Sequence, residues 1–166
     1  MKRIGRMVLY AACFPVDVFA VLVTSVLALT VGQRVPVRWF DRGCLVFCPP
    51  IDSWLARRWR FSATLGHVIM VHPLSLEVDA PEVRGERRTH YERTMDHECV
   101  HVAQCEAVCL GWLLVMCAQP TRFMAFMWPF AWLLAYLVAS TAGMLVGRSG
   151  YLGNVLESHA DGSELP

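Results

Sequence analysis

The sequence predicts an α+β fold in which a short antiparallel sheet is followed by a long helix and an apolar helical hairpin, with a transmembrane helix at the N-terminus. Three observations support this fold class. Hydrophobic residues form 55% of the 166-residue chain and charged residues only 17%, below the roughly 25% of soluble domains. The apolar residues are concentrated in two runs. The motif H-E-C-V-H at residues 97–101 lies just before the second run.

The overall composition excludes two classes of protein. So high an apolar fraction excludes intrinsic disorder, which needs low hydrophobicity and high net charge. The formal net charge of +1 at pH 7 excludes a strongly basic polymer binder, so we expect no nucleic-acid partner. The clustering of the apolar residues instead predicts a lipid bilayer as a partner.

The first apolar run, Met7–Val31, contains a single charged residue, Asp17. It exceeds the roughly 20 residues that cross a hydrocarbon core about 30 Å thick. Residues 1–31 are therefore predicted to be an N-terminal membrane anchor or signal segment. No small-x-small cleavage site ends the run, which favours the uncleaved anchor. The alternative is a soluble secreted protein from which this segment has been removed.

The second run predicts an apolar hairpin at 107–147, because a break around Pro120 interrupts it. The hairpin belongs to a predicted domain at 32–166 that ends in a tail at 148–166. A hairpin buried in a soluble protein is the alternative to one in lipid. Four aromatic residues could anchor it at the membrane interface: Trp112, Trp128, Trp132 and Tyr136.

The polar part between the runs predicts the sheet. Short, apolar-rich stretches at Val35–Phe40 and Cys44–Phe47, around Arg42-Gly43, and at Phe61–Val71 are typical of strands, and Ile51–Arg60 is typical of a short helix. The end of the last strand, from Gly66, could pair with an extended peptide, although a plain core strand has the same pattern. The seven cysteines are interpreted mainly as buried thiols, with a Cys44–Cys48 disulfide possible in an oxidising compartment.

The H-E-x-x-H motif predicts metal chemistry. Tyr91–Ala118 contains no proline and has helical periodicity, so the motif lies on a helix. His97 and His101 are then one turn apart on the same face and can bind one zinc ion. Glu98 lies beside them as the candidate general base. Gln104 shares their face, either hydrogen-bonded to a ligand or the substrate, or as a polar residue at the membrane boundary.

A third ligand has to come from elsewhere in the chain. An antiparallel hairpin returns the tail to the end of the helix that carries the two histidines, so Glu157 is the leading candidate. Cys105 continues the helical stripe, but three successive turns cannot surround one small ion, so packing is its predicted role. The other candidate ligands are His159 and Asp161 in the tail and His67, His72 and His90 upstream. Candidate oxyanion-stabilising groups are His90, Tyr91 and Tyr151.

The order of these motifs resembles a group of small bacterial zinc metallopeptidases of the gluzincin-like type. The resemblance covers roughly residues 34–161 and rests on L-G-H-V-I at 65–69, H-E-C-V-H-V-A-Q at 97–104, and Y-x-x-N-x-x-E-x-x-A at 151–160. It implies a zincin-like fold, His97, His101 and Glu157 as zinc ligands, and Glu98 as the base. This chain departs in its longer apolar hairpin, its N-terminal anchor, and Val155 where the group has proline.

The sequence thus predicts a membrane-associated zinc metallopeptidase in a bacterial cell membrane, with a peptide or protein as substrate. Basic residues lie on both sides of the first apolar run, so the positive-inside rule favours neither orientation. The alternative function is a catalytically silent membrane protein that binds metal or acts as a sensor or interaction module.

Overall fold

The computed structural model describes residues 2–31, 37–40, 44–50, 53–54, 57, 62–73, 90–145 and 156–157. Its helices are α1 (Lys2–Val31), α2 (His90–Ala118), α3 (Arg122–Met127) and α4 (Ala131–Leu145), with a 3₁₀ turn at Trp128–Phe130 between the last two. Its strands are β1 (Val37–Phe40), β2 (Cys44–Phe47), β3 (Ala63–Leu65) and β4 (Val68–Met70).

The long helices follow the predicted ranges closely. The first apolar run forms α1, and the motif lies in α2, which ends one residue before Gln119. Thr121 caps α3, since its hydroxyl oxygen accepts a hydrogen bond of 3.1 Å from the backbone N–H of Met124. The return arm of the hairpin is not one helix, because Pro129 lacks the N–H that a continuous helix needs there and lies in the 3₁₀ turn.

The sheet is mixed, so the prediction of an antiparallel sheet is wrong in one respect. Its strand order is β1-β2-β4-β3. The pairs β1–β2 and β3–β4 are antiparallel, but β2 and β4 pair in parallel, with Val46 opposite Ile69. The chain crosses from β2 to the outer edge to form β3, and β4 then returns beside β2. Pairing between strands so distant in sequence leaves no local pattern to read.

The stretch predicted as one strand at Phe61–Val71 is a tight hairpin. β3 and β4 are joined through Gly66 and His67, and Gly66 has φ of 61°, a conformation that glycine adopts without a steric penalty. A Cβ at this position would also collide with Oδ1 of Asp17. The backbone therefore turns where the apolar pattern continues, and β4 becomes an inner strand with neighbours on both sides. An extended peptide cannot pair with it.

Helix α2 lies between α1 and the sheet and joins two apolar clusters. One cluster contains residues from α1, α2 and α4: Ala12, Cys13, Val16, Cys105, Cys109 and Trp132. The other joins α2 to the sheet: Cys44, Val46, Ile69, Val71, Met95 and Val102. The N-terminal segment is thus packed into the core, and the division at residue 31 stays a prediction.

Three helical stretches are long and apolar enough to cross a membrane: Gly5–Val31, Glu92–Ala118 and Arg122–Ala142. Many of their apolar side chains are exposed. In the hairpin, Phe123 is 70% exposed, Val138 68% and Leu145 83%. The chain therefore does not bury its hairpin in a core of its own.

Two smaller sequence predictions concern a short helix at Ile51–Arg60, of which the structure describes only a few residues, and a Cys44–Cys48 disulfide. Of Ile51–Arg60, the backbone N–H of Arg57 donates to the carbonyl of Ser53 over 3.2 Å, which is the spacing of a helical turn. Cys44 and Cys48 do not form a disulfide with each other in the structure.

Candidate metal centre

The two motif histidines face each other one turn apart on α2. Their ring centroids are 4.7 Å apart with an interplanar angle of 82°, and their Nε2 atoms are separated by 3.1 Å. This is the juxtaposition expected of residues i and i+4, whose side chains lie one above the other on one helix face.

The tail brings a carboxylate to the same point. Oε2 of Glu157 lies 3.3 Å from Nε2 of His97 and 3.3 Å from Nε2 of His101. Glu157 is 56 residues from His101 in sequence, and the residue is only 6% exposed. His97, His101 and Glu157 therefore form a group of three potential metal ligands on two separate segments.

The spacing of the three ligand atoms fits a small metal ion. Tetrahedral ligands that each lie about 2.0–2.1 Å from zinc are separated from one another by about 3.3–3.4 Å. The three atoms form a triangle with sides of 3.1, 3.3 and 3.3 Å. Two imidazoles and one carboxylate are also a common donor set of catalytic zinc sites.

Gln104 orients His101 and holds the tail. Nδ1–H of His101 donates to Oε1 of Gln104 over 2.8 Å, so Nε2, which faces the other ligands, is the nitrogen that would bind a metal once it has lost its proton. The amide nitrogen of Gln104 donates to the carbonyl of Leu156 over 3.0 Å. The side chain of Gln104 thus connects His101 to Leu156, the residue that precedes Glu157.

Tyr136 orients the carboxylate. Its hydroxyl donates to Oε1 of Glu157 over 2.6 Å, so Oε2 is left to face the histidines. Burial alone would raise the pKa of Glu157, but the hydrogen bonds from His101, His97 and Tyr136 outweigh it and hold the pKa well below its usual range. The carboxylate is therefore ionised, as a metal ligand must be.

Glu98 lies beside this group with a different partner. The hydroxyl of Thr64, in β3, donates to Oε2 of Glu98 over 2.7 Å, and Glu98 is 4% exposed. Because Thr64 belongs to the edge strand, the sheet fixes the position of the carboxylate predicted to act as a base. The carbonyl of Thr64 accepts a hydrogen bond of 3.1 Å from the indole N–H of Trp132.

The remaining sequence candidates lie elsewhere. His67 is bound to Asp17 and Glu106, and Cys105 is packed in the apolar cluster with α1, as its predicted role requires. The backbone N–H of His72 donates to Oγ of Ser62. His90 and Tyr91 begin α2, but their side chains fall outside the described part of the chain. Three residues of the tail also lie outside the described part of the chain: Tyr151, His159 and Asp161.

His67 makes several polar contacts outside the metal centre. Its backbone N–H and its ring Nδ1–H both donate to the carboxylate of Asp17, over 2.8 and 2.9 Å, and its Nε2 lies 3.3 Å from Oε1 of Glu106. Burial alone would lower the pKa of His67, but the hydrogen bonds and charges of Asp17 and Glu106 outweigh it. The pKa is therefore raised above 6.5.

Sequence reasoning missed the roles of Thr64, Trp132 and Tyr136. The two aromatic residues were predicted to be interface anchors, yet Trp132 is 3% exposed and its ring centroid lies 6.2 Å from that of His101. A lone phenolic hydroxyl in the apolar α4 was the available signal, because a buried tyrosine hydroxyl usually finds a partner. The partner itself could not be read from the sequence.

No protein-family model, curated protein or solved structure matches this chain. The zincin-like architecture and the similarity to small metallopeptidases therefore stay predictions, and the argument for function depends on the geometry of the site.

Proposed function

We propose that this chain is a membrane-associated zinc metallopeptidase that hydrolyses peptide bonds. The observation that carries the proposal is the convergence of His97, His101 and Glu157, with Glu98 held beside them. Each ligand atom lies within 3.3 Å of the other two, although the motif and the tail are far apart in sequence.

Each residue of the site has a separate role in the proposed hydrolysis. His97, His101 and Glu157 would hold zinc, which when bound would act as a Lewis acid and make water nucleophilic near neutral pH. Glu98 accepts the proton of the attacking water and delivers it to the leaving amine. Thr64 keeps the Glu98 carboxylate in place, because its hydrogen bond fixes one of the two oxygens.

The ligand group is most accessible at His97. The His97 side chain is 14% exposed, whereas those of His101 and Glu157 are 7% exposed. A peptide would therefore approach from the N-terminal side of the motif. A catalytic zinc site needs an open coordination position, and we expect it on that side.

A membrane location follows from the exposed apolar surface. Side chains such as Leu22, Phe126 and Val138 are 60–70% exposed on helices of membrane-spanning length, and lipid would cover them. The α1 helix also contributes buried residues to the core and supplies Asp17 to His67. Removal of residues 1–31 would expose the apolar cluster and would take Asp17 away from His67. This favours the anchored form over a cleaved, secreted one.

A catalytically silent metal-binding or sensor protein is the second candidate. The burial of Glu98, His101 and Glu157, each no more than 6% exposed, favours it, since structural metal sites are closed to solvent. Both candidate functions use the same three metal ligands. They differ in whether Glu98 acts as a general base.

Zinc content and peptide hydrolysis of the detergent-purified chain test the proposal together. The wild-type chain should hold about one zinc ion and hydrolyse an unfolded protein such as casein. His97→Ala with His101→Ala should lose both properties. Glu98→Gln should keep zinc and lose hydrolysis, while Glu92→Gln, on the exposed side of α2, should change neither.

Each result has a defined meaning. Zinc retained without His97 and His101 would contradict the ligand assignment. Zinc bound by the wild-type chain with no hydrolysis of any unfolded protein or peptide library would support the silent metal-binding protein instead. Hydrolysis retained in Glu98→Gln would exclude Glu98 as the base.

A further inference from the structure

A second group of metal-binding side chains lies apart from the histidines. Cys13 of α1 and Cys105 and Cys109 of α2 direct their sulfur atoms to one point, all within 4.8 Å of one another. All three residues are completely buried. The predicted role of Cys105, packing, explains its burial but does not require three thiols to converge.

We propose that Cys13, Cys105 and Cys109 form a binding site for a single soft metal ion, Cu(I), that joins α1 to α2. This site is independent of the proposed peptidase function, since none of the three cysteines belongs to the His97–His101–Glu157 group.

The distances between the sulfur atoms suit a three-thiolate site. Three sulfur atoms that each lie about 2.3 Å from a central ion are about 3.8–4.0 Å apart, for tetrahedral or trigonal angles. The Sγ atoms of Cys105 and Cys109 are 3.8 Å apart, and Cys13 completes the triangle within 4.8 Å. Binding requires side-chain adjustments of less than about 1 Å, which small rotations about χ1 within the same rotamer supply.

The number and type of donors favour Cu(I) over other ions. Structural zinc sites are almost always four-coordinate, and Fe–S clusters use four cysteine ligands. Among the described residues, the group has three members and no fourth cysteine, histidine or carboxylate within the same distance. Thiolates are soft ligands that select Cu(I), an ion that accepts three-coordination.

The surroundings also suit this ion. The sulfur atoms lie in an apolar cluster with Ala12, Val16 and Trp132, and Asp17 and His67 lie close enough to interact electrostatically with Cys109. Buried thiols suit a soft ion better than a hard, hydrated cation. Binding would release thiol protons to solvent, so affinity should fall as the pH falls. The ion would link two helices that otherwise meet through apolar contacts.

The test measures Cu(I) binding to the full chain in detergent, without oxygen and with a reductant, by competition with a chromophoric Cu(I) chelator. The His97→Ala, His101→Ala double variant is used as the background, so that the histidine group cannot contribute. We expect about one Cu(I) per chain in this background and no tight zinc binding. Adding Cys105→Ser should weaken Cu(I) binding by at least about tenfold, the lower end of the loss caused by removing even a residue that only supports a ligand.

Two matched controls isolate the cluster. Cys117→Ser removes an exposed thiol from α2, and Cys44→Ser removes a completely buried thiol from β2. Both should bind Cu(I) as tightly as the background. Equal weakening in Cys44→Ser, unchanged binding in Cys105→Ser, or one zinc ion held by the background would each overturn the proposal.

X-ray absorption of the copper-loaded background gives an answer even if Cys105→Ser fails to fold. A first shell of about three sulfur atoms, without nitrogen or oxygen, supports the site. A shell that contains nitrogen or oxygen, or failure to bind Cu(I) at all, shows that the three thiols are packing residues. Neither outcome depends on whether the chain hydrolyses peptides.

Discussion

The hydroxyl of Tyr136 lies 2.6 Å from Oε1 of Glu157, and this hydrogen bond joins the return arm of the apolar hairpin to the C-terminal tail. Because the second oxygen of the same carboxylate faces His97 and His101, the position of the proposed third ligand depends on the hairpin.

Replacing Tyr136 with phenylalanine should weaken zinc binding about 10- to 100-fold, the usual cost of losing a residue that orients a ligand. The reason is that Glu157 would keep its burial but lose the bond that directs its oxygens. Competition with a chromophoric zinc chelator measures the affinity. Thr141→Ala removes another hydroxyl from α4, one that donates to the carbonyl of Leu137, and should leave zinc affinity unchanged. Equal affinities in both variants would show that the hydrogen bond does not position the carboxylate.

Two substitutions of Gln104 should separate its two contacts. Gln104→Leu loses the bonds to His101 and to the carbonyl of Leu156, so we expect zinc affinity to fall about 10- to 100-fold. Gln104→Glu keeps an acceptor for Nδ1–H of His101 and loses only the donor to Leu156. Its loss of affinity should be smaller in the same chelator assay. An equal loss in the two variants would mean that Gln104 contributes through tail attachment and not through the orientation of His101.

Thr64 should act on hydrolysis without acting on the metal. Thr64→Val removes the hydroxyl that holds Oε2 of Glu98, so kcat should fall about 10- to 100-fold through loss of orientation, while zinc content and KM stay near wild type. Thr64→Ser keeps the hydroxyl and should restore most of kcat. If serine fails to rescue, or if zinc is lost with the hydroxyl, Thr64 supports the fold of this region and does not position Glu98.

The pair of His67 and Asp17 should make stability depend on pH. The pKa of His67 is raised in the folded chain, so the folded state holds the proton more tightly than the unfolded state. The pair's contribution is fully present below the unfolded pKa of about 6.5 and is lost as the pH rises through the higher folded pKa. The melting temperature in detergent should therefore fall over this interval.

Asp17→Asn is the matched variant for this pH effect. Its side chain has nearly the same shape and can still accept the backbone hydrogen bond of His67, but it lacks the charge. Its melting temperature should be lower than wild type at about pH 6 and should approach wild type above the folded pKa. Because the wild type and Asp17→Asn contain the same metal centre, its effect on the melting temperature cancels when the two are compared. A constant difference across the pH range would mean that His67 is not charged in the folded protein.

Two glycine substitutions should have opposite effects on stability. Gly66→Ala should cost about 1–3 kcal/mol, because φ of 61° strains an alanine and its Cβ would collide with Asp17. Gly111→Ala, in the exposed part of α2 where a Cβ meets nothing within 4 Å, should stabilise the helix by about 0.5–1 kcal/mol. Thermal denaturation in detergent compares them. A Gly66→Ala variant as stable as wild type would show that the turn adapts.

The features that could be predicted from the sequence are local ones. The extent of α1 and α2, the strands β1 and β2, and the shared face of His97 and His101 all follow from residue spacing within a few turns or a single strand. The exposed apolar helices follow from composition, because runs of this length cannot be buried in so small a chain. These properties depend on neighbours in sequence, which the sequence displays directly.

The features that needed tertiary structure join distant segments. The parallel pairing of β2 with β4, the turn at Gly66, the contact of Asp17 with His67 and the meeting of Cys13 with α2 could not be read from periodicity. At the metal centre, Glu157 could be nominated from its place after the hairpin. The choice of Tyr136 and Thr64 as partners depends on where α4 and β3 pack against α2. Local backbone preferences act over a few residues, whereas these contacts are decided by how the helices and the sheet bury their apolar faces against one another.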